Sequence, residues 1–499
     1  MVRVAAVVCV AAVAVLVHGR EIVVAPVSGE FSLIQAALDT AQPGDMVTVR
    51  AGTYVERLTF PRGGDDVNGP IVLRAQPGER VVVSGNNQSS ASSPHLISIF
   101  SLSHITIAGL DVCSNVATEA DGGSAMYLEG AGSDITLVSN RIYWIRGMHG
   151  MGITVYGTEA GPWSNIVVAH NEIRDCEPAT SEALTFNGNI SGFSVVSNYV
   201  HDVNNIGMDF IGGEAGFPGG ARNGVCVGNT VLRARSLYGG GYGAGIYVDG
   251  GRSIVIERNR IAECDLGIEI GAENAGWVAS NITVRSNLVY LNDKAGIGFG
   301  GYASNRGRVT RCEFANNTFW RNNELAQGPG DFHGEVIIQF SSSNIFRNNL
   351  VVVSGKGELR AILDSSTGAN VGNRFDYNLY SCVSTNVLFQ WRTDDYEGFA
   401  AYTNAAGAGD HAGLWADPAL EDGAATNFHL LPTSPAIDRG DPAYEPGPGE
   451  CDFDGGPRVI GGRIDLGAYE GVPEPGLHLA HAAWVLTLLR FRCIIKKQT

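Results

Sequence analysis

Lysine is almost missing from this chain: Lys294 and Lys356 are the only two before the closing pair Lys496 and Lys497. Charged residues are sparse at 17%, and acids outnumber bases to give a formal net charge of -17. No basic stripe is present for a nucleic acid to follow, which excludes DNA and RNA as partners. The nine cysteines stand singly, with no C-x-x-C and no metal-type spacing. Apart from Cys9 and Cys493, the odd remainder reads as small apolar core residues. Long hydrophobic spans are lacking as well. The run from Val4 to Val17 after Arg3 is too short for an ordinary membrane helix and reads as a signal peptide over residues 1–19. Helical periodicity is absent through the middle of the chain, where apolar residues recur every second position, and this excludes helical repeats.

What is plentiful is glycine, 66 residues, beside 44% hydrophobic content, a balance unlike that of disordered chains. One short pattern recurs: an alternating run, Asn, any residue, then Ile, Val or an aromatic. It stands at Asn140 ("ITLVSNRI"), Asn171, Asn198, Asn229, Asn259 ("IVIERNRI"), Asn287, Asn317, Asn349 and Asn378, with successive members 27 to 32 residues apart by subtraction. A second alternating element lies between them, as in "AGIYVDGG" and "LGIEIGAE". Units this small cannot bury their own apolar face, so they must stack.

Parallel stacking predicts rungs roughly 4.8 Å apart. Ile246 and Val248 then point inward, and Tyr247 and Asp249 outward. The repeated Asn suits a bend that needs left-handed backbone and side-chain bonding, and in register the amides form a ladder. Cys176 and Cys264 fall three rungs apart, roughly 14 Å, too far for a disulfide.

From about Ile22 to Tyr380 the chain resembles right-handed parallel β-helix proteins of the pectate-lyase-like superfamily. The resemblance implies an all-β solenoid over residues 20–385. Leu33, Ile34, Ala37 and Leu38 suit a short amphipathic helix capping the first rung. Residues 386–471 lose the register. Phe428–Gly440 and Asp452–Glu470 are similar to the choice-of-anchor modules of exported bacterial β-helices, implying a small C-terminal capping module. Within it Asp452, Asp454 and Gly455 read as an Asx turn or a calcium loop. Residues 472–499, with Val472-Pro-Glu-Pro, an apolar stretch and four cations, resemble a PEP-CTERM sorting tail. The two ends imply an exported monomer at the surface of a Gram-negative-type bacterium, touching membrane only through its tail.

Alignment of the second strands puts Thr154, Thr185, Asp209, Tyr247, Glu269 and Gly298 in one outward column. Tyr156, Asn187, Ile211, Asp249, Gly271 and Gly300 form another. Asp209, Asp249 and Glu269 therefore share three consecutive rungs, with His201 and Lys294 on nearby bends and Tyr238, Tyr242, Tyr247 and Trp277 as candidate sugar-stacking rings. Paired carboxylates suit glycosidic hydrolysis. The resemblance implies instead a polysaccharide lyase in which Asp209, Asp249 and Glu269 hold Ca²⁺ against a uronate while Lys294 abstracts a proton, with His201 assisting. Neither "DPHD" nor a clean "ExE…K…R" series is present. The lyase is the leading expectation, with a polysaccharide as partner. A hydrolase and a non-catalytic adhesion or glycan-binding rod are the alternatives.

Overall fold

The computed structural model describes residues 19–471 apart from 121, 239, 326–331, 366–369 and 406–408. The expected leader up to His18 and the 472–499 tail lie outside the described residues. Among the described residues no helix is long and apolar enough to cross a membrane.

Period-two patterning resolves into three long sheets, one strand of each per coil. In one coil, Arg222–Val227 belongs to sheet I, Thr230–Ala234 to sheet II and Ala244–Asp249 to sheet III. The next coil repeats the order with Arg252–Glu257, Arg260–Ala262 and Leu266–Ala272, each pairing in parallel with its predecessor. The fold is an all-β, right-handed parallel β-solenoid. Inward residues such as Ile246, Val248, Ile254, Ile256, Ile261, Ile268 and Ile270 are 0 or 1% exposed and fill a continuous core. Burial of that apolar column, unavailable to any single coil, holds the stack together.

The asparagines occupy the bend between sheets I and II. From Asn171 onward, each one's Oδ1 accepts both the main-chain N–H and the Nδ2–H of the asparagine one coil before. Asn229 donates twice to Asn259, at 2.8 and 3.0 Å, and Asn259 twice to Asn287, at 2.9 and 3.0 Å. The relay runs from Asn140 through Asn378 and ends on Asp410. The left-handed backbone, however, falls on the residue before each asparagine, as at Ser139, His170, Ser197, Arg258 and Ser286. The asparagine must aim its amide inward, so its neighbour makes the turn. A non-glycine residue so placed costs about 1 kcal/mol or more, which the two amide bonds per coil offset.

The seven described cysteines are free, and Cys176 and Cys264 are buried. Near the N-terminus, helix Ile34–Thr40 buries Ile34, Ala37 and Leu38, whereas Leu33 is exposed. Coil strands continue past residue 385, as far as Leu414–Trp415 in sheet II. Segment 416–471 lies along the outside of sheet II. There Phe428 packs on Tyr290 and Trp320, and buried Arg458 pairs with Glu470 at 3.2 Å. The Asp452 carboxylate accepts from Gly456 N–H, an Asx-type turn.

Asn259→Ala would leave several buried donors and acceptors unpaired. It is expected to lower unfolding free energy by about 3 kcal/mol, against less than about 0.5 for exposed Asn386→Ala. Denaturant unfolding of the two variants checks this; equal losses would mean the ladder contributes little.

Candidate functional site on the outer face of sheet III

The first outward column stands as the spacing predicts. Thr154 pairs with Thr185, Thr185 with Asp209, Asp209 with Tyr247, Tyr247 with Glu269, and Glu269 with Gly298. The second column breaks between Ile211 and Asp249. Pairing ends at Asp209–Tyr247, and Ile211 bridges Gly250 in antiparallel sense instead. The cause is local. Chain 212–221 peels away as a loop, and the Trp277 indole wedges against Gly213, where φ is +83° and an added Cβ would lie 2.5 Å from the ring.

Asp209 and Asp249 are covered rather than solvated, and Glu269 is half-buried. Asp209 is 2% exposed and Asp249 7%. Three further carboxylates join them, from places that strand alternation does not index. Glu182 accepts from Thr185 Oγ1 at 2.7 Å, and Glu273 from the Tyr247 hydroxyl at 3.2 Å. Glu214, on the 212–221 loop, accepts from Asn187 Nδ2.

Burial raises every carboxyl in the middle of this group, and the neighbouring acids raise them further. Asp209 is pushed well above the usual carboxylate range by burial, then by Glu182 and Asp249. Burial and nearby Glu273 lift Glu269 to about 8 and Asp249 to about 7. Glu182 rises to about 7, again through burial, with Glu214 and Asp249 adding to it. The charges that raise these four are those of other carboxylates, and the Thr185 hydroxyl opposes the rise at Glu182. Two main-chain amides distinguish them: Asp249 N–H donates to Asp209 Oδ1 at 3.2 Å, and Glu273 N–H to Asp249 Oδ1 at 2.7 Å. These bonds favour the ionised form of the two aspartates. Glu269 has no such donor among the described residues. The site thus holds four raised carboxyls side by side, with a main-chain amide opposing the rise at Asp209 and Asp249, an arrangement that general acid–base chemistry can use.

The remaining expected residues lie elsewhere or are already engaged. Lys294 sits four residues before Gly298, the partner of Glu269, and so about 13 Å back along the strand. Its Nζ donates to Gly240 O at 2.7 Å and lies 3.5 Å from the Tyr242 ring centre. Asp265, in register with it, accepts from Ser236 and Gly243 N–H, so Lys294 and Asp265 staple the loop that carries Tyr238 and Tyr242. Tyr242 is 42% exposed at that loop's edge, and Tyr238 is half-buried. His201 belongs to sheet II, held by Asp202 at 2.6 Å and stacked on Tyr199. Tyr247 lies over Gly271, where a Cβ would come within 2.8 Å of its ring, and is 5% exposed. Trp277 donates to Gly250 O at 2.6 Å with Arg252 on its ring. Both rings are struts of the wall. Among the described residues no three His, Cys, Asp or Glu side chains are grouped closely enough to hold a metal ion. A cavity of about 590 Å³ lies away from these acids, between sheet I and residues 447–453, where Glu257 is already paired with Arg258 and Arg285.

Raised carboxyls have a consequence for stability. The folded chain keeps protons that the unfolded chain gives up above the ordinary carboxylate range. Stability is therefore full below that range and falls as pH rises through about 7 to 8. Buried Glu335 and Asp410, raised to about 8 and about 7, act in the same sense. The thermal unfolding midpoint is expected to be higher near pH 5 than near pH 8.5, with a flatter dependence in Asp209→Asn. A midpoint that climbs over that interval would contradict the burial of these protons.

Residues 95–319 match the family model described as a right-handed β-helix region. "Uncharacterized protein YwoF" of Bacillus subtilis (strain 168) is 34% identical over 423 residues, spanning 81% of this chain and 88% of that protein. PfbA, a surface adhesin of Streptococcus pneumoniae, has 13% identity and a TM-score of 0.47 over 73% of this chain and 89% of its own. An alginate lyase from Paenibacillus sp. str. FPU-7 has 16% identity and a TM-score of 0.42 over 59% and 93%. At that distance the two structures do not speak to this chain's chemistry.

Proposed function

The chain belongs to the right-handed β-helix family, and from that premise we propose that it is a carbohydrate-active enzyme that hydrolyses a glycan on the outer face of sheet III. The observation that carries this reading is the pairing of Glu269, proton-bearing and without a donor, with Asp249, which a main-chain amide holds toward its anion. They stand on adjacent strands, displaced two residues along them, which puts their Cα atoms roughly 8 Å apart.

In the proposed reaction Glu269 gives its proton to the glycosidic oxygen as the bond to the anomeric carbon breaks. Asp249 takes a proton from the water that attacks that carbon. Glu273 helps to keep both carboxyls raised, and Glu214 adds to Asp249. Lyase chemistry with Lys294 as base is the weaker reading, because the lysine is stapled to its own loop about 13 Å away along the strand. The same proposal takes the 1–19 and 472–499 segments as export and surface-retention signals on a monomer.

New reducing ends should appear without an unsaturated product absorbing in the ultraviolet. The pH profile of kcat/KM should be a narrow bell with limbs near about 7, where Asp249 protonates, and about 8, where Glu269 ionises. Glu269→Gln should lower kcat by roughly a thousandfold and remove the alkaline limb. Ultraviolet-absorbing product that disappears in Lys294→Ala would reverse the assignment in favour of a lyase.

A further inference from the structure

Below the acids, toward the N-terminus, the same face of sheet III carries a staggered line of rings. Phe100, Tyr127 and Tyr156 come from three successive strands, Ile97–Phe100, Met126–Glu129 and Ile153–Gly157. Register places Tyr127 opposite Ser98 and Thr154, and Glu129 opposite Phe100 and Tyr156, so the rings alternate between the two outward columns. Their centres follow one another at 6.2 Å from Phe100 to Tyr127, 5.7 Å to Tyr156 and 5.1 Å to Phe217, with His95 stacked on Tyr127 at 3.7 Å. Phe100 is 46% exposed, and Tyr127 and Tyr156 are half-buried, so the line is open to solvent at its far end.

The charges that bear on Tyr127 and Tyr156 are those of carboxylates, while Arg57 bears on His95 and donates to the Pro94 carbonyl. Burial pushes the Tyr156 hydroxyl up, and the charges that add to it are those of Glu182, Glu214 and Glu129. Tyr127 is raised by burial and by Glu129, to which its hydroxyl donates at 3.1 Å. Glu159 accepts from Ser101 Oγ beside Phe100. Carboxylates and aromatic faces together suit a polyhydroxylated chain: the rings stack on its apolar faces and the carboxylates accept its hydroxyl protons. An acidic polysaccharide would instead bring its charges against a face on which carboxylates predominate. From Phe100 to Glu269 is six strand steps, about 29 Å, a length that a polymer spans and a disaccharide does not.

We propose that Phe100, Tyr127 and Tyr156 form an extended binding track for a glycan without acidic groups, laid along the solenoid axis with its cleaved bond at Glu269. This rests on the hydrolase reading, whose failure has a separate signature. Binding is measured by calorimetry with Glu269→Gln protein, using laminarin and arabinoxylan as uncharged polymers and polygalacturonate and alginate as acidic ones, at low and high salt. Kinetics are measured in the otherwise wild-type chain carrying Phe100→Ala or Phe100→Trp, on the best polymer and on an aryl disaccharide.

An uncharged polymer should bind, and acidic ones should not at either salt concentration. Phe100→Ala should raise KM for the polymer roughly five- to tenfold with kcat unchanged and leave the disaccharide unaffected, and Phe100→Trp should restore binding. Binding of an acidic polymer, no binding of either uncharged polymer, or an unchanged polymer KM in Phe100→Ala overturns the track. Full turnover by Glu269→Gln overturns the reaction assignment alone, because the binding results do not depend on it.

Discussion

Everything described here depends on coils repeating in register, and the interaction that enforces this is the double hydrogen bond from one asparagine to the next. The apolar core alone would tolerate a sliding coil, because isoleucine and valine fill most of its positions and one can replace another. An amide that must meet both a main-chain N–H and a side-chain N–H of the preceding coil does not tolerate that. Each bend also carries a residue in left-handed backbone, so an unmade ladder bond would leave strain and an unpaired polar group together. Fixing the bend fixes the strand that follows, and so brings Asp209, Tyr247 and Glu269 into one column although they are far apart along the chain.

That registration has an electrostatic consequence. A soluble solenoid ordinarily presents its outward acids to water, where they remain ionised and interact weakly. On sheet III the strand-end loops rise over the acids and bury them among one another. Proximity then does what an isolated carboxylate cannot do: it raises the group toward neutrality, while main-chain amides oppose the rise at Asp209 and Asp249. The aromatic line on the lower coils extends this face and sets further carboxylates, Glu129 and Glu159, beside its rings.

Much of this was legible in the chain itself, and the limits are physical. Period-two alternation identified which residues face outward, and the spacing of the asparagines identified which strands are neighbours. Thr154, Thr185, Asp209, Tyr247, Glu269 and Gly298 align for that reason. Alternation fails at corners, where Glu182 shares the parity of inward Leu184 and Phe186 yet turns out to meet Thr185. It also says nothing of loops that fold back, which bring in Glu214 and Glu273 and set Trp277 against Gly213 as a wedge. Lys294 drew notice by its rarity, and rarity carries no direction: its ammonium is committed to Gly240 and Tyr242. The rings at Phe100 and Tyr127 come before the first asparagine of the recurring pattern, outside the columns that its spacing aligns, and their mutual contact depends on two columns leaning together, which spacing does not reveal.

The most direct test of the central claim is a crystal structure of the Glu269→Gln protein with a bound oligosaccharide. The account predicts sugar rings along the outer face of sheet III, with a glycosidic oxygen within hydrogen-bond reach of residue 269 and the Asp249 carboxylate beside the anomeric carbon. A ligand lodged on sheet II near His201, or against Lys294 with the acids of sheet III untouched, would contradict it.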